Sequence, residues 1–319
     1  MVDTRPTSIG TCWVVSPMLR DTESFLRLRD ETAAACTAHG VTTALRHLVI
    51  DDSAGTDPEV EALTRLPGVE VLVPPFNLGH QRAIVYGLRH LLPRLSNADV
   101  VVTMDSDGED QPADVPRLLS ALNAEQVTLA LAVRTKRSES VRFRVMYLFF
   151  RVMFRVFTGT TVRSGNFAAQ SASSLAATIH HPSFDLCYSS SLLALRRPTA
   201  SVPCARGRRF AGSSRMNTYA LMAHGVRMLL PFSERIAVRA MFVASVTLVG
   251  VLTHLGILAG GGFGDHPGPA VYSVLVALGT LFVASLTTFV VLFSGFAQAS
   301  AIAMKGIGVP DLPAHAPKG

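Results

Sequence analysis

Charge is scarce where a water-soluble chain would need it. Past Arg239 the only charged side chains are Asp265, Lys305, Asp311 and Lys318, so this part has no solvated face and reads as material for lipid. Two runs within it, Ala240 to Ala259 and Ala270 to about Phe296, meet the roughly 20 apolar residues that a bilayer crossing needs. Acid is scarce over a longer stretch. From Val127 to Arg239 the acids are Glu139, Asp185 and Glu234, set among many arginines, so the second half faces something anionic. Cysteine is scarce too, and Cys12, Cys36, Cys187 and Cys204 show neither Cys-x-x-Cys spacing nor histidines at zinc distances. That speaks against a zinc site and for core thiols in a reducing compartment. Met1 to Pro6 has no apolar stretch of the secretory-signal kind, so no cleaved leader is expected.

What is present bounds the rest. With 319 residues, a net charge of +6 and a mean hydropathy of +0.34, the chain has room for one good-sized domain and a membrane part. Gly260 to Pro269 is a breaker-rich turn between the two apolar runs, which predicts a transmembrane hairpin. Arg227, Arg235 and Arg239 flank its entry and Lys305 its exit. Positive flanks put both ends, and the soluble part, on the cytoplasmic face. Gly256 and Gly260 form a small-x-x-x-small pair that would suit a homo-oligomer.

Before Val127, strand-like and helix-like segments alternate. Strands are expected at Ile9 to Ser16, Leu45 to Ile50, Val69 to Val73, from Val100, and at Val127 to Val133; helices at Asp21 to Ala38, Pro58 to Leu66, Gly79 to Leu92 and Ala113 to Leu122. This pattern predicts an α/β fold, a Rossmann-like doubly wound sheet. In such a sheet ligands lie beyond the carboxyl ends of the strands, and two strands end in acid there: Asp51-Asp52 and Asp105-Ser106-Asp107. If Asp105 and Asp107 continue the strand they point the same way and offer two oxygens to one hard divalent cation, Mg²⁺ or Mn²⁺. Such a cation would neutralise a diphosphate leaving group. A plain acidic turn is the bland reading; a calcium loop is a weaker one, because Pro116 stands where its twelfth-position Glu would be.

The basic half carries two amphipathic segments. Arg142 to Phe157 places Arg144, Arg151 and Arg155 on one helical face with large apolar residues around the rest, as in a helix lying in the membrane interface. Arg206 to Arg215 interleaves arginine with glycine and serine, which frees backbone N–H groups for an anion. It leads into a second amphipathic helix, Met216 to Leu230. Nucleic acid is a poor partner for this charge, because no reading motif accompanies it.

Taken together these residues resemble family-2 glycosyltransferases of the GT-A fold, most closely the membrane-bound polyprenyl-phosphate and dolichyl-phosphate sugar transferases, from Thr11 to about Phe296. Asp51-Asp52-Ser53 looks like the family's base-contacting acid pair. Asn77-x-Gly79 with Ala83, Ile84 and Gly87 looks like its Asn-x-Gly segment, and Met104 to Asp107 followed by Pro112 like its metal motif. Arg134 and Arg137 stand where the family has Arg-x-x-Arg, and Arg209 to Ser214 resembles its late Arg-x-x-Gly-x-Ser. Two departures matter. Pro17 to Asp21 keeps only the proline and an acid of the usual Pro-x-Tyr-Asn-Glu, and Gly165-Asn166-Phe167-Ala168 replaces the Asp of Gly-Asp-Phe-Arg by an asparagine, which cannot take a proton.

The resemblance implies a nucleotide sugar, UDP- or GDP-linked, as donor and Mg²⁺ or Mn²⁺ on Asp105 and Asp107. It implies Pro17, Asp21, Asp51, Asp52, Asn77, Gln81 and Asp105 around the nucleotide, and Asp107, Asn166, Arg134 and Arg137 at the reacting centre. Arg206, Arg209, Ser213 and Arg215 would grip a lipid phosphate. A hydroxyl acceptor would need a substitute base such as Asp185 or Glu109, whereas a phosphate monoester is already anionic at pH 7, so polyprenyl phosphate is the expected acceptor, with inversion at the sugar. The rivals are transfer to a lipid or glycan hydroxyl, and a non-catalytic protein that only binds nucleotide sugar. The expected organisation is a catalytic domain over 1–205, a juxtamembrane basic segment over 206–239, two transmembrane helices over 240–298 and a cytoplasmic tail over 299–319, in a multi-pass protein of the inner (plasma) membrane.

Overall fold

The computed structural model describes residues 9–124, 127–135, 141–212, 218–260 and 271–287, together with 268 and 289. The chain divides into two compact units: residues 1–152 with 160–231, and residues 153–159 with 232–319.

The first unit is built on one seven-stranded sheet in the order β3-β2-β1-β4-β6-β5-β7. Its strands are β1 Thr11–Met18, β2 Ala44–Asp51, β3 Val69–Leu72, β4 Val100–Thr103, β5 Leu129–Arg134, β6 Ser164–Ser171 and β7 Ala200–Cys204. The helices along it are α1 Thr22–Ala38, α2 Val60–Leu63, α3 His80–Leu91, α4 Val115–Ala124, α5 Val141–Thr158, whose last residues belong to the second unit, α6 Ala172–Thr178, α7 Ser183–Leu186, α8 Tyr188–Ala194 and, after β7, α9 Thr218–Leu229. β1, β2, β3 and β4 are mutually parallel. β1 is continuously apolar from Cys12 to Val15 because both faces are covered: Cys12 and Val14 pack with Phe25, Leu28 and Leu118, while Trp13 and Val15 pack with Ile84, Leu88 and Tyr188. All four cysteines are buried and unpaired, as expected of core thiols.

The sheet departs from uniform alternation in its second half. β6 enters between β4 and β5 and runs antiparallel to both, so the sheet is mixed. β7 is parallel to β5 and forms the edge, where Pro203 costs no ladder bond to a further strand.

In the second unit, α10 Ser233–Ala259 is the apolar helix. The helical run Leu221–Ile257 contains an 18-residue window of mean hydropathy 2.0 and is the one helix among the described residues long and apolar enough to cross a membrane. A further apolar helix, α11 Val271–Thr287, is shorter. The expected second crossing ran on to Phe296, and most of the expected turn before it likewise lies outside the described residues. Within this unit Arg239 donates to the carbonyl of Val156 at 2.6 Å, and the Phe154 ring meets Phe232 edge-on at 5.3 Å.

Candidate active site

β1 lies between β2 and β4, so the acids that follow β2 and β4 open onto one crevice at the sheet's carboxyl edge. The Asp51 carboxylate is fully buried and accepts the N–H groups of Ser53 at 3.0 Å and Gly55 at 3.1 Å. It holds a turn in which Ala54 and Gly55 take positive φ. Asp52 is tied to β1 through its N–H, which donates to Met18 O at 2.8 Å. Its carboxylate accepts Leu78 N–H at 2.7 Å, and Asn77 Nδ2 donates to its carbonyl at 2.6 Å. Burial pushes the Asp52 pKa up in spite of these bonds. Asp52 therefore locks the β2 end to the Asn77–Gly79 loop. Gly79, at φ 75°, turns that loop into α3, a conformation open to glycine at little cost.

β4 stops at Thr103, so Asp105 and Asp107 stand in the following turn and strand alternation does not set their directions. Asp105 Oδ1 receives Asn166 Nδ2 at 2.7 Å from β6 and lies 3.1 Å from His80 Nε2 at the start of α3. Its own N–H donates to Asp110 Oδ2 at 3.1 Å. Asp107 accepts Glu109 N–H at 2.9 Å on one oxygen and Arg209 Nη2 at 2.7 Å on the other. Arg134 Nη2 stands 3.7 Å from Asp110.

These acids cannot all ionise freely. Burial opposes the Asp105 charge, but His80, the Asn166 amide and Arg134 overrule it and hold the carboxyl well below the usual range. Burial and the Asp105 charge then push Asp107 up to about 6 and Asp110 up to about 7. Partial burial of His80 resists its proton, yet Asp105, Asp110 and Asp107 raise it to about 9. Among the described residues no group of three or more His, Cys, Asp or Glu is arranged to hold a metal ion. Two carboxylates suffice for Mg²⁺ or Mn²⁺ when substrate phosphates complete the shell, and the hard oxygens of Asp105 and Asp107 fit that use.

From β7 the chain turns back over this loop. Gly207 N–H donates to Glu109 O at 2.9 Å and Phe210 N–H to Asp107 O at 2.8 Å. Arg206 pairs with Glu109, and Arg209 Nε reaches the same carboxylate at 3.2 Å. A crevice lined by Glu109, Asp110, Arg134, Gly165 and Arg206 opens beside them.

Of the residues singled out in the sequence, Asp105, Asp107, Asn166, Arg134, Arg206 and Arg209 thus come together, with Asp52 and Asn77 along the same sheet edge. Pro17 is buried in β1 and its carbonyl accepts Ser106 Oγ at 3.2 Å. Asp21 starts α1, its carbonyl accepting Phe25 N–H at 3.1 Å, without a side-chain cap. Gln81 turns toward α8 and accepts Ser189 N–H at 2.9 Å. Arg137, Ser213 and Arg215 lie outside the described residues. His80 and Asp110 were not singled out. Their signal was position: His80 directly follows the glycine that opens α3, and Asp110 closes the turn begun at Asp105.

Residues 41–179 match Glycosyl transferase family 2, a stretch that includes Asp51, Asp52, Asn77, Asp105, Asp107, Arg134 and Asn166 but neither β1 nor the segment after β7. The undecaprenyl-phosphate 4-deoxy-4-formamido-L-arabinose transferase of Sodalis glossinidius is 29% identical over 141 residues, 43% of this chain and 41% of that protein. The enzyme of the same name from Edwardsiella ictaluri is 30% identical over 113 residues, 34% of this chain and 32% of that protein. The chain therefore matches less than half the length of these relatives. Glucosyl-3-phosphoglycerate synthase from Mycobacterium tuberculosis, in complex with Mn²⁺, UDP and phosphoglyceric acid, superimposes with a TM-score of 0.51 at 19% identity, covering 71% of this chain and 78% of that one. Its complex with Mn²⁺, UDP-glucose and phosphoglyceric acid gives 0.51 at 19% identity and 71% and 80% coverage. This likeness shows the fold, GT-A.

Proposed function

We propose that the chain is a family-2 glycosyltransferase, the family that residues 41–179 match, and that it moves a single sugar from a UDP- or GDP-linked donor to a polyprenyl phosphate at the cytoplasmic face of the inner membrane. The observation that carries the acceptor is Asn166. It donates to Asp105 at 2.7 Å, so the position offers a hydrogen bond where a hydroxyl acceptor would need a base. The substitute bases are engaged as well: Glu109 pairs with Arg206 and Arg209, and Asp185 with Arg89, whose Nη2 lies 3.0 Å from Asp185 Oδ2. General-base help is typically worth about 10²–10⁴-fold, and a phosphate monoester does without it, since its second pKa is about 6. The relatives' printed name, an undecaprenyl-phosphate sugar transferase, supports the same class of acceptor.

In this reading Asp105 and Asp107 would hold Mg²⁺ or Mn²⁺, which would supply charge neutralisation to the diphosphate leaving group. Asp52 and Asn77 shape the floor for the nucleoside, with Asp51 holding the turn beneath it. Asn166 and His80 fix the Asp105 carboxylate. Arg134, Arg206 and Arg209, whose planar forks suit phosphate oxygens, orient the two phosphate groups, with Arg137, Ser213 and Arg215 assigned alongside them. A lipid phosphate oxygen then bonds to the anomeric carbon from the face opposite the nucleoside diphosphate. The anomeric carbon–oxygen bond to that group breaks, its electron pair leaving with the diphosphate, and the configuration inverts. The apolar helices keep the site at the membrane where the lipid is.

The test incubates the full chain in detergent with undecaprenyl phosphate, Mn²⁺ or Mg²⁺ and a panel of UDP- and GDP-sugars, beside an Asp107→Ala control, with products read by mass spectrometry. A metal-dependent glycosyl phospholipid, absent in the control, is expected. A product formed only on hydroxyl acceptors would overturn the acceptor assignment.

A further inference from the structure

The segment after β7 is fixed to the acidic loop by its main chain. Besides the bonds from Gly207 and Phe210, a Cβ at Gly207 would collide with the Gly108 carbonyl, and one at Gly108 would meet the Phe210 ring at 2.7 Å. Arg27 closes over the outer side of that ring at 4.3 Å. The backbone is thus pinned independently of the arginine side chains. Those side chains point inward at acid. Arg209 Nη2 lies 2.7 Å from Asp107 Oδ2, and the other Asp107 oxygen already accepts Glu109 N–H. A divalent cation on Asp107 and the Arg209 guanidinium repel each other and draw on the same carboxylate charge, so a cation that takes Asp107 weakens the hold of Arg209. A displaced guanidinium keeps its charge at any working pH and retains a fork suited to phosphate. With Arg209 30% exposed, its hold on Asp107 is solvent-screened and moderate.

We propose that Arg209 has two working positions, guarding Asp107 when cation and acceptor are absent and binding the acceptor phosphate once a cation has taken Asp107, so that cation and lipid phosphate bind cooperatively. This rests on the reading of Asp107 as a cation ligand and of the acceptor as a phosphate. The coupling is reciprocal by linkage: a phosphate that draws Arg209 away bares Asp107, and a cation that takes Asp107 presents Arg209. Arg206 shares Glu109 with Arg209, which gives the released pair a common direction. Arg209 is therefore a positioning residue before it is a ligand.

The test measures Mn²⁺ binding to the full chain in detergent by electron paramagnetic resonance of the free ion, without donor sugar. Arg209→Gln is expected to bind Mn²⁺ at least about fivefold tighter than wild type, the lower end of typical coupling, while Arg209→Lys, which keeps a cation beside Asp107, stays near wild type. Farnesyl phosphate is expected to tighten Mn²⁺ binding to wild type by a similar factor and to leave Arg209→Gln unchanged. The wild-type arm needs no substitution, so it decides the matter even if the variant folds poorly. Equal or weaker Mn²⁺ binding by a folded Arg209→Gln, or no effect of farnesyl phosphate on wild type, overturns the proposal; an arginine that only neutralised Asp107 would show the tighter binding of Arg209→Gln without the response to farnesyl phosphate. If Asp107→Ala abolishes Mn²⁺ binding in that case, the cation site stands and only the guarding role falls. If Asp107→Ala binds as wild type does, the cation assignment falls with it.

Discussion

His47, in the middle of β2, gives the sharpest stability prediction. It is 3% exposed, neither ring nitrogen has a partner among the described residues, and Phe25 meets the ring edge-on at 5.8 Å. Burial, and then the charge of Arg29, push its pKa down to about 4. In the unfolded chain it returns to about 6.5. Between these values the unfolded state takes up a proton that the folded state refuses. Stability is therefore full above pH 6.5 and falls as pH drops toward 4, at a limiting slope of about 1.4 kcal/mol per pH unit. Between pH 7 and pH 5 the loss is about 2 kcal/mol, large beside a typical total of about 5–15 kcal/mol. His47→Leu removes the titrating ring and two unpaired polar atoms together, which costs little at neutral pH. Urea unfolding of the full chain in detergent can be followed through Trp13, which is buried in β1 and paired in register with Arg46 of β2. Wild type should lose about 2 kcal/mol more than His47→Leu over this pH step. Parallel losses in the two proteins would refute the argument. The variant also separates acid unfolding from titration of Asp107 and Asp110 in any pH profile of activity.

Two further substitutions probe the site and its support. Asn166→Asp places a second acid where an amide now donates to Asp105 at 2.7 Å; transfer to polyprenyl phosphate should not rise, and a gain approaching the roughly 10²-fold of a restored base on a hydroxyl acceptor, read by product mass spectrometry, would reverse the acceptor assignment. Tyr188→Phe removes the hydroxyl that contacts Thr103 at 3.1 Å and Gln170 at 2.8 Å, leaving a Gln170 that is 1% exposed without that bond. The expected cost is about 1–3 kcal/mol, measured by the same unfolding; a change below the error of the fit would show that water replaces the hydroxyl.

The elements legible in the sequence were those whose own residues settle them. β1, β2, β4 and β5 are apolar runs with turn or acidic residues beyond them, and α1 and α3 carry clear stops or starts in Gly40 and Gly79. β6 has no such signature. Its sequence, SGNFAAQS, is small and polar for a strand, and it is one because β4 and β5 supply partners on both sides. That context also decides what Asn166 does, since only the antiparallel entry of β6 brings its amide to Asp105. The turn that carries Asp105 and Asp107 was legible as a site, though not its geometry. The pairing of Glu109 and Asp107 with Arg206 and Arg209 joins residues about a hundred positions apart and follows from the return of the chain after β7, which no local pattern encodes. Glu109 and Asp185, each readable as a spare base, turn out to be occupied for the same reason.

The four buried cysteines have a practical side. Burial raises the pKa of Cys12 and Cys36, and of Cys204 to about 12, so little of the reactive thiolate forms on these near neutral pH. The native chain is therefore a quiet background for thiol labelling. A single cysteine introduced at Tyr219, which is 82% exposed on α9, would be the fast-reacting site. A polarity-sensitive dye there would report on lipid contact with no native cysteine removed first.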